Sequence, residues 1–170
     1  MILTGPAIYA AHRKGEITLT PFDAENLNPN SYNFHLGEIL VLPATRNRRR
    51  QSVSLGGEGY LLRPGRVYLG ATQEVIGSER YVTLLLGRSS IGRLGIFLNV
   101  TADLGHLGSC SRWTLELTAV QPVRIYPRMK IGQVSFWLTD GESSFRYAGR
   151  YHRDREPIPN RDRRIEAGRP

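Results

Sequence analysis

Cysteine is nearly missing from this sequence. Cys110 stands alone among 170 residues, which excludes an internal disulfide and any cysteine-clustered metal site. Long apolar runs are missing as well: no stretch of about 18 apolar residues is available to span a bilayer. The opening MILTGPAIYAAHRKG has neither the basic start nor the long apolar centre of a signal peptide. The chain is therefore expected in the cytoplasm, without a membrane partner. Acidic residues are the minority, 15 Asp and Glu against 23 Lys and Arg, for a formal net charge of +8. Such an excess draws polyanions. The arginines, however, concentrate in Arg46-Asn47-Arg48-Arg49-Arg50 and in residues 146–169, with no helical basic stripe and no aromatic-interleaved platform. A small anion is the expected guest, and a dedicated nucleic-acid site is not.

What is present reads as one domain of short strands. Residues 4–14 have helical spacing, with Thr4 as cap, Pro6 in the first turn and Gly15 as stop. Residues 16–20, 38–42, 60–62, 67–72, 82–86, 113–119 and 131–138 read as strands between Gly/Pro turns, which predicts an all-β sandwich or barrel. In Trp113-Thr114-Leu115-Glu116-Leu117-Thr118-Ala119 the alternation puts Leu115, Leu117 and Ala119 on the core face and Glu116 opposite. Beyond Gly141 the composition turns polar and arginine-rich. We therefore divide the chain into a β domain, residues 1–141, and a C-terminal segment, residues 142–170, that orders on a ligand.

Gly87-Arg88-Ser89-Ser90-Ile91-Gly92-Arg93-Leu94-Gly95 follows the strand at 82–86. Glycines let a backbone approach a ligand, hydroxyls and turn amides donate hydrogen bonds, and guanidiniums bind phosphate oxygens bidentately. The spacing is neither a Walker loop nor a dinucleotide fingerprint, so on composition alone it is either a phosphate site or ordinary turn chemistry. Glu116, read alone, is a strand glutamate on a solvent face, and Cys110 reads as a small buried hydrophobe.

The GRSSIGRLG block is accompanied, in order, by SYNFHLG from Ser31, NVTA from Asn99, WTLEL from Trp113 and MKIGQVSF from Met129. In this the chain resembles the dCTP deaminases, relatives of the trimeric dUTPases. The resemblance implies a mainly β, distorted jelly-roll or β-barrel fold of the dUTPase type, with one short N-terminal helix, assembled as a homotrimer with active sites between subunits. It implies hydrolysis of a cytosine nucleotide, dCTP plus water giving dUTP plus ammonia, with Glu116 as general base. Ser89 and Arg93 would hold the water or leaving amine and bind phosphate, with Arg88 and Ser90 in support. Asn99, Val100, Thr101 and Ala102 would read the pyrimidine edge. The C-terminal segment would close over the phosphates, with Tyr151 and Asp154 beside them. Magnesium would arrive with the triphosphate. Zinc is not expected: zinc deaminases carry H-x-E with P-C-x-x-C, and one cysteine with His12, His35, His106 and His152 cannot build that site.

Departures from the family pattern narrow the reading. His106 stands where an aspartate binds the sugar 3′-hydroxyl, and Ser109 stands where an aromatic packs the deoxyribose, so the resemblance makes these two the altered sugar pocket. Asp154 replaces a phosphate-binding glutamine, and Asn33 replaces an aspartate. A variant sugar, base or phosphate preference follows as an expectation. Two alternatives remain: a dUTPase-type nucleotide pyrophosphatase, or a nucleotide-binding trimer without turnover.

Overall fold

The computed structural model describes residues 1–43, 50–99, 102–141, 144–149 and 156–160. Helix α1 is Gly5–Arg13, with Pro6 in its first turn and Ile8 and Ala11 buried. Thr4 occupies the extended N-cap position but its hydroxyl caps nothing, and Gly15 ends the run at a φ of +73°, a region glycine enters without strain. The strands follow in order: β1 (Thr18–Thr20), β2 (Tyr32–His35), β3 (Ile39–Leu42), β4 (Gln51–Ser54), β5 (Tyr60–Leu62), β6 (Val67–Ala71), β7 (Val75–Gly77) and β8 (Tyr81–Gly87). A second helical turn, α2 (Ser89–Gly92), precedes β9 (Ile96–Leu98), β10 (Leu104–Gly105), β11 (Cys110–Ser111), β12 (Thr114–Ala119), β13 (Val123–Ile125) and β14 (Lys130–Leu138).

The pairing is antiparallel throughout the described residues. A five-stranded sheet runs β4-β3-β6-β12-β9 and a four-stranded sheet runs β10-β8-β14-β2, with smaller sheets β1-β7-β11 and β13-β5. The mainly β architecture expected from the sequence is therefore present. Two details of that expectation change. No sheet among the described residues closes into a barrel, and α1 is not the only helix. The GRSSIGRLG block coils into α2 because Ile91, 5% exposed, drops into the core and ties its turn down.

Leu40, Tyr68, Leu115 and Leu117 of the large sheet and Phe34, Leu85, Val134 and Phe136 of the four-stranded sheet join one buried cluster that also takes in Ile8 of α1. Each such side chain contributes about 1.5–3 kcal/mol by leaving water, which is what fixes the alternation of β12. Cys110 departs from expectation in being only half-buried.

The SYNFHLG block proves to be a brace. His35 donates its backbone N–H to Glu74 Oε2 at 2.9 Å, and its Nδ1 lies 2.6 Å from Glu74 Oε1. Glu74 is 2% exposed, so a buried carboxylate is matched oxygen by oxygen. Asn33 donates from Nδ2 to Asn28 Oδ1, and Ser31 Oγ donates to Gln133 Oε1 in β14. An aspartate at position 33 has no N–H for that bond, which gives the Asn33 replacement a physical role in this chain.

Candidate active site

Glu116 stands half-buried on β12 between β6 and β9. Its register partner on β6 is Leu69, whose own partner on β3 is Val41. Side chains in register share a face, so the carboxylate rises at the end of an apolar row. Around it opens a cleft of about 760 Å³, a size suited to a small organic ligand. Val41, Val67 and Leu69 line one side, Asn99, Ala102 and Thr114 flank the carboxylate, and His106, Ser109 and Ser111 lie across the other end.

Asn99 makes the wall beside Glu116. Strand β9 ends at Leu98 opposite Leu117, and the next residue turns to a φ of +41°, which asparagine tolerates better than most side chains. In that conformation Asn99 continues the ladder with its side chain. Its Oδ1 accepts from Glu116 N at 2.9 Å, and its Nδ2 donates to Thr114 O at 3.2 Å and Ala102 O at 3.3 Å. Its backbone N–H donates to Glu116 O at 3.1 Å. Both hydrogens of the amide are thus spent on backbone, and the residue, 5% exposed, orients Glu116 and Ala102 rather than offering its amide to a ligand. Val100 and Thr101 lie outside the described residues.

The opposite end of the cleft is positioned by Trp113. Its Nε1 donates to Ile76 O at 3.0 Å and its backbone N–H to Thr72 Oγ1 at 2.9 Å. The indole lies on Gly105, where a Cβ would collide with the ring and with Thr83 Oγ1. From there the chain turns through His106 to Ser109, closed by Ser109 N–H donating to His106 O at 3.1 Å and by Gly108 N–H donating to Ser78 O at 2.9 Å. His106 and Ser109 therefore share the cleft with Glu116.

The predicted phosphate residues of the GRSSIGRLG block do not. Ser89 and Ser90 are exposed on α2 and Arg93 at its C-terminal cap, while Arg88 is half-buried at its N-terminal cap, its guanidinium 3.5 Å from Lys130 O. None of the four lines the cleft. The reason is in the register: α2 feeds β9 at Ile96, opposite Ala119, three residues along β12 from Glu116 or about 10 Å at strand rise. One chain thus presents a carboxylate cleft and, apart from it, a basic serine turn.

Residues outside the predicted site also line the cleft. Arg50 and Arg112 bring positive charge to it, and Tyr147, Ile158 and Asn160 enter from the C-terminal segment. Ile158 donates its backbone N–H to Thr114 Oγ1 at 3.1 Å, two residues from Glu116. Arg112 adjoins the WTLEL block. Arg50 ends the arginine run noted in the sequence, and Ile158 and Asn160 belong to the segment expected to close over the phosphates, whereas Tyr147 carried no local signal. Tyr151 and Asp154 lie outside the described residues. Among the described residues no three His, Cys, Asp or Glu side chains gather as a metal site, and no helix is long and apolar enough to cross a membrane.

Comparison with known proteins accords with this geometry. The family described as dCTP deaminase-like matches residues 2–139. A dCTP deaminase, dUMP-forming, from Clostridium botulinum (strain Alaska E43 / Type E3) is 43% identical over 157 residues, covering 89% of this chain and 90% of the relative. A dCTP deaminase from Rhodopirellula baltica is 41% identical over 166 residues, covering 94% of this chain and 83% of the relative. Among solved structures, the 2′-deoxycytidine 5′-triphosphate deaminase from Agrobacterium tumefaciens superposes with a TM-score of 0.66 at 22% identity, over 81% of this chain and 48% of that one. The last is a likeness of fold, and this chain spans about half of that protein's length. A match across residues 2–139, with two-fifths identity over most of the chain, leaves one assignment: the chain belongs to the dCTP deaminase-like family.

Proposed function

We propose that this protein is a cytosine nucleotide deaminase, converting dCTP and water to dUTP and ammonia. The observation that carries the reading is Glu116, the only carboxylate among the described lining residues, its backbone N–H and carbonyl both held by Asn99. In the reaction its carboxylate takes a proton from water as the oxygen bonds to C4 of the cytosine. That proton and the second water proton are passed to the ring nitrogen and the departing amine, so the C4–N bond breaks, ammonia leaves and a carbonyl remains. Relatives named dCTP deaminase support the substrate class.

Ser89, Ser90 and Arg93 serve the phosphates of a cleft other than their own chain's. That reading, with three copies sharing sites at their interfaces, accounts for a basic turn exposed away from the carboxylate and for the exposure of Leu94, Phe97 and Val120 on either side of it. Magnesium would come with the triphosphate and be held by phosphate oxygens and water rather than by a protein cage, since the described lining has no carboxylate besides Glu116.

Some relatives are dUMP-forming. Removing pyrophosphate requires a second activated water, and His106 rather than a carboxylate occupies the family's aspartate position here, which favours dUTP as the product. Incubation with dCTP, CTP, dCMP and 5-substituted cytosine nucleotides, resolved by mass, tests the assignment. Amine-to-carbonyl conversion with dCTP, abolished in Glu116→Gln while binding persists, is expected. Binding without conversion on every member would leave the non-catalytic reading, and dUMP with pyrophosphate would assign the second hydrolysis to this cleft.

A further inference from the structure

His106 and Ser109 are joined at their end of the cleft by a side chain that no motif pointed to. Tyr147 stacks on His106 with ring centroids 5.6 Å apart and planes 26° from parallel, and both rings line the cleft that contains Glu116. Within residues 144–149 Tyr147 is the one side chain not exposed to solvent. Its backbone N–H donates to Leu107 O at 2.9 Å, which ties the segment to the His106 loop. The ring also lies against Gly149, where a Cβ would collide with the phenol Cζ and Oη. Arg146 Nε donates to Glu79 Oε2 at 3.1 Å, but this pair is exposed and adds little. The backbone bond and the bare glycine are what aim the ring.

We propose that Tyr147 is a specificity-determining residue, its ring backed by His106 and forming the wall against which the sugar of the bound nucleotide packs. The C-terminal segment thereby supplies the flat surface that Ser109 does not. The inference rests on the nucleotide reading above. A furanose presents a C–H-rich face, which a ring covers well, and hydroxyls, which need partners such as Ser109 and Ser111. A 2′-hydroxyl turned onto the face of the Tyr147 ring loses water and gains no hydrogen bond, a costly exchange. The wall therefore favours 2′-deoxyribose over ribose.

The test is the dissociation constant of dCTP and of CTP, measured by calorimetry in a Glu116→Gln background where chemistry is stopped, with turnover of the parent protein followed by mass. Tyr147→Ala is expected to weaken dCTP binding by about fivefold and to bring the dCTP-to-CTP preference toward unity. Gly149→Ala, which pushes the ring aside, moves both quantities the same way. Phe145→Ala, whose ring is 91% exposed, leaves both unchanged, and Tyr147→Phe keeps the preference. Should Tyr147→Ala be unstable, Tyr147→Leu decides the same ratio with bulk retained. An unchanged preference in Tyr147→Ala or Tyr147→Leu overturns the inference. A parent protein that binds both nucleotides but releases no ammonia rejects the deaminase reading and leaves the binding ratio to judge Tyr147. A protein that binds neither rejects both.

Discussion

Replacing Asn99 with alanine removes the side chain that clamps β12 beside Glu116. Three hydrogen bonds disappear, to Glu116 N, Thr114 O and Ala102 O. A buried backbone group left without a partner costs about 1–3 kcal/mol. The cleft admits water to some of these groups, so each loss falls at the lower end, for a sum of about 3 kcal/mol. Alanine at a φ of +41° adds about 1 kcal/mol. At about 2–4 °C per kcal/mol for a domain of this size, the midpoint of thermal unfolding falls by roughly 8–16 °C. Turnover of dCTP falls further than stability, because a shift of about 1 Å in a reacting group costs on the order of a hundredfold. Asn99→Asp separates the causes: it keeps the volume and the acceptor for Glu116 N but sets an acceptor against two carbonyls. Calorimetric melting at matched protein concentration, with deamination measured well below the midpoint, reads both quantities. A melting temperature within about 2 °C of the parent in both variants, with turnover intact, would refute the clamp.

Three further outcomes are expected. Glu116→Gln and Arg93→Ala subunits, each inactive alone, recover about a quarter of parental activity when mixed at equal ratio into a trimer with sites between subunits; no recovery in mixed assemblies means the two groups do not act across an interface. Gly105→Ala drives a methyl into Trp113 and Thr83 and costs about 1–3 kcal/mol in urea unfolding, an expectation that a loss below about 0.5 kcal/mol removes. Burial raises the Tyr32 phenol above its ordinary value of 10.0, with the hydrogen bond from the Asp23 backbone opposing. Its folded value then exceeds its unfolded one, so its contribution to stability is intact below pH 10 and drains as pH rises through the folded value. Tyr32→Phe accordingly loses less stability than the parent between about pH 9 and 11, and identical pH profiles would contradict it.

Local chemistry was enough for some of this architecture. Alternation in residues 113–119 placed Glu116 opposite the core because strand side chains alternate whatever the strand pairs with, and β12 follows it residue by residue. Pro6 and Gly15 bounded α1 through backbone restrictions that need no partner. Five ordered blocks led to the family that residues 2–139 match. Strands as short as β7, β10 and β11 left no such trace: with two or three residues each, they have no period of their own and exist only because a neighbour pairs with them.

The amino-acid sequence by itself thus determined the mainly β class, the family and the carboxylate that faces the cleft, since each depends on residue type and spacing along the chain. Tertiary structure alone decided that Asn99 spends its amide on the backbone, that the serine-arginine turn lies away from Glu116 in the same chain, and that Tyr147 crosses 41 residues of sequence to stack on His106. Those are contacts between segments distant in sequence. Their energy lies in pairings that no local window contains.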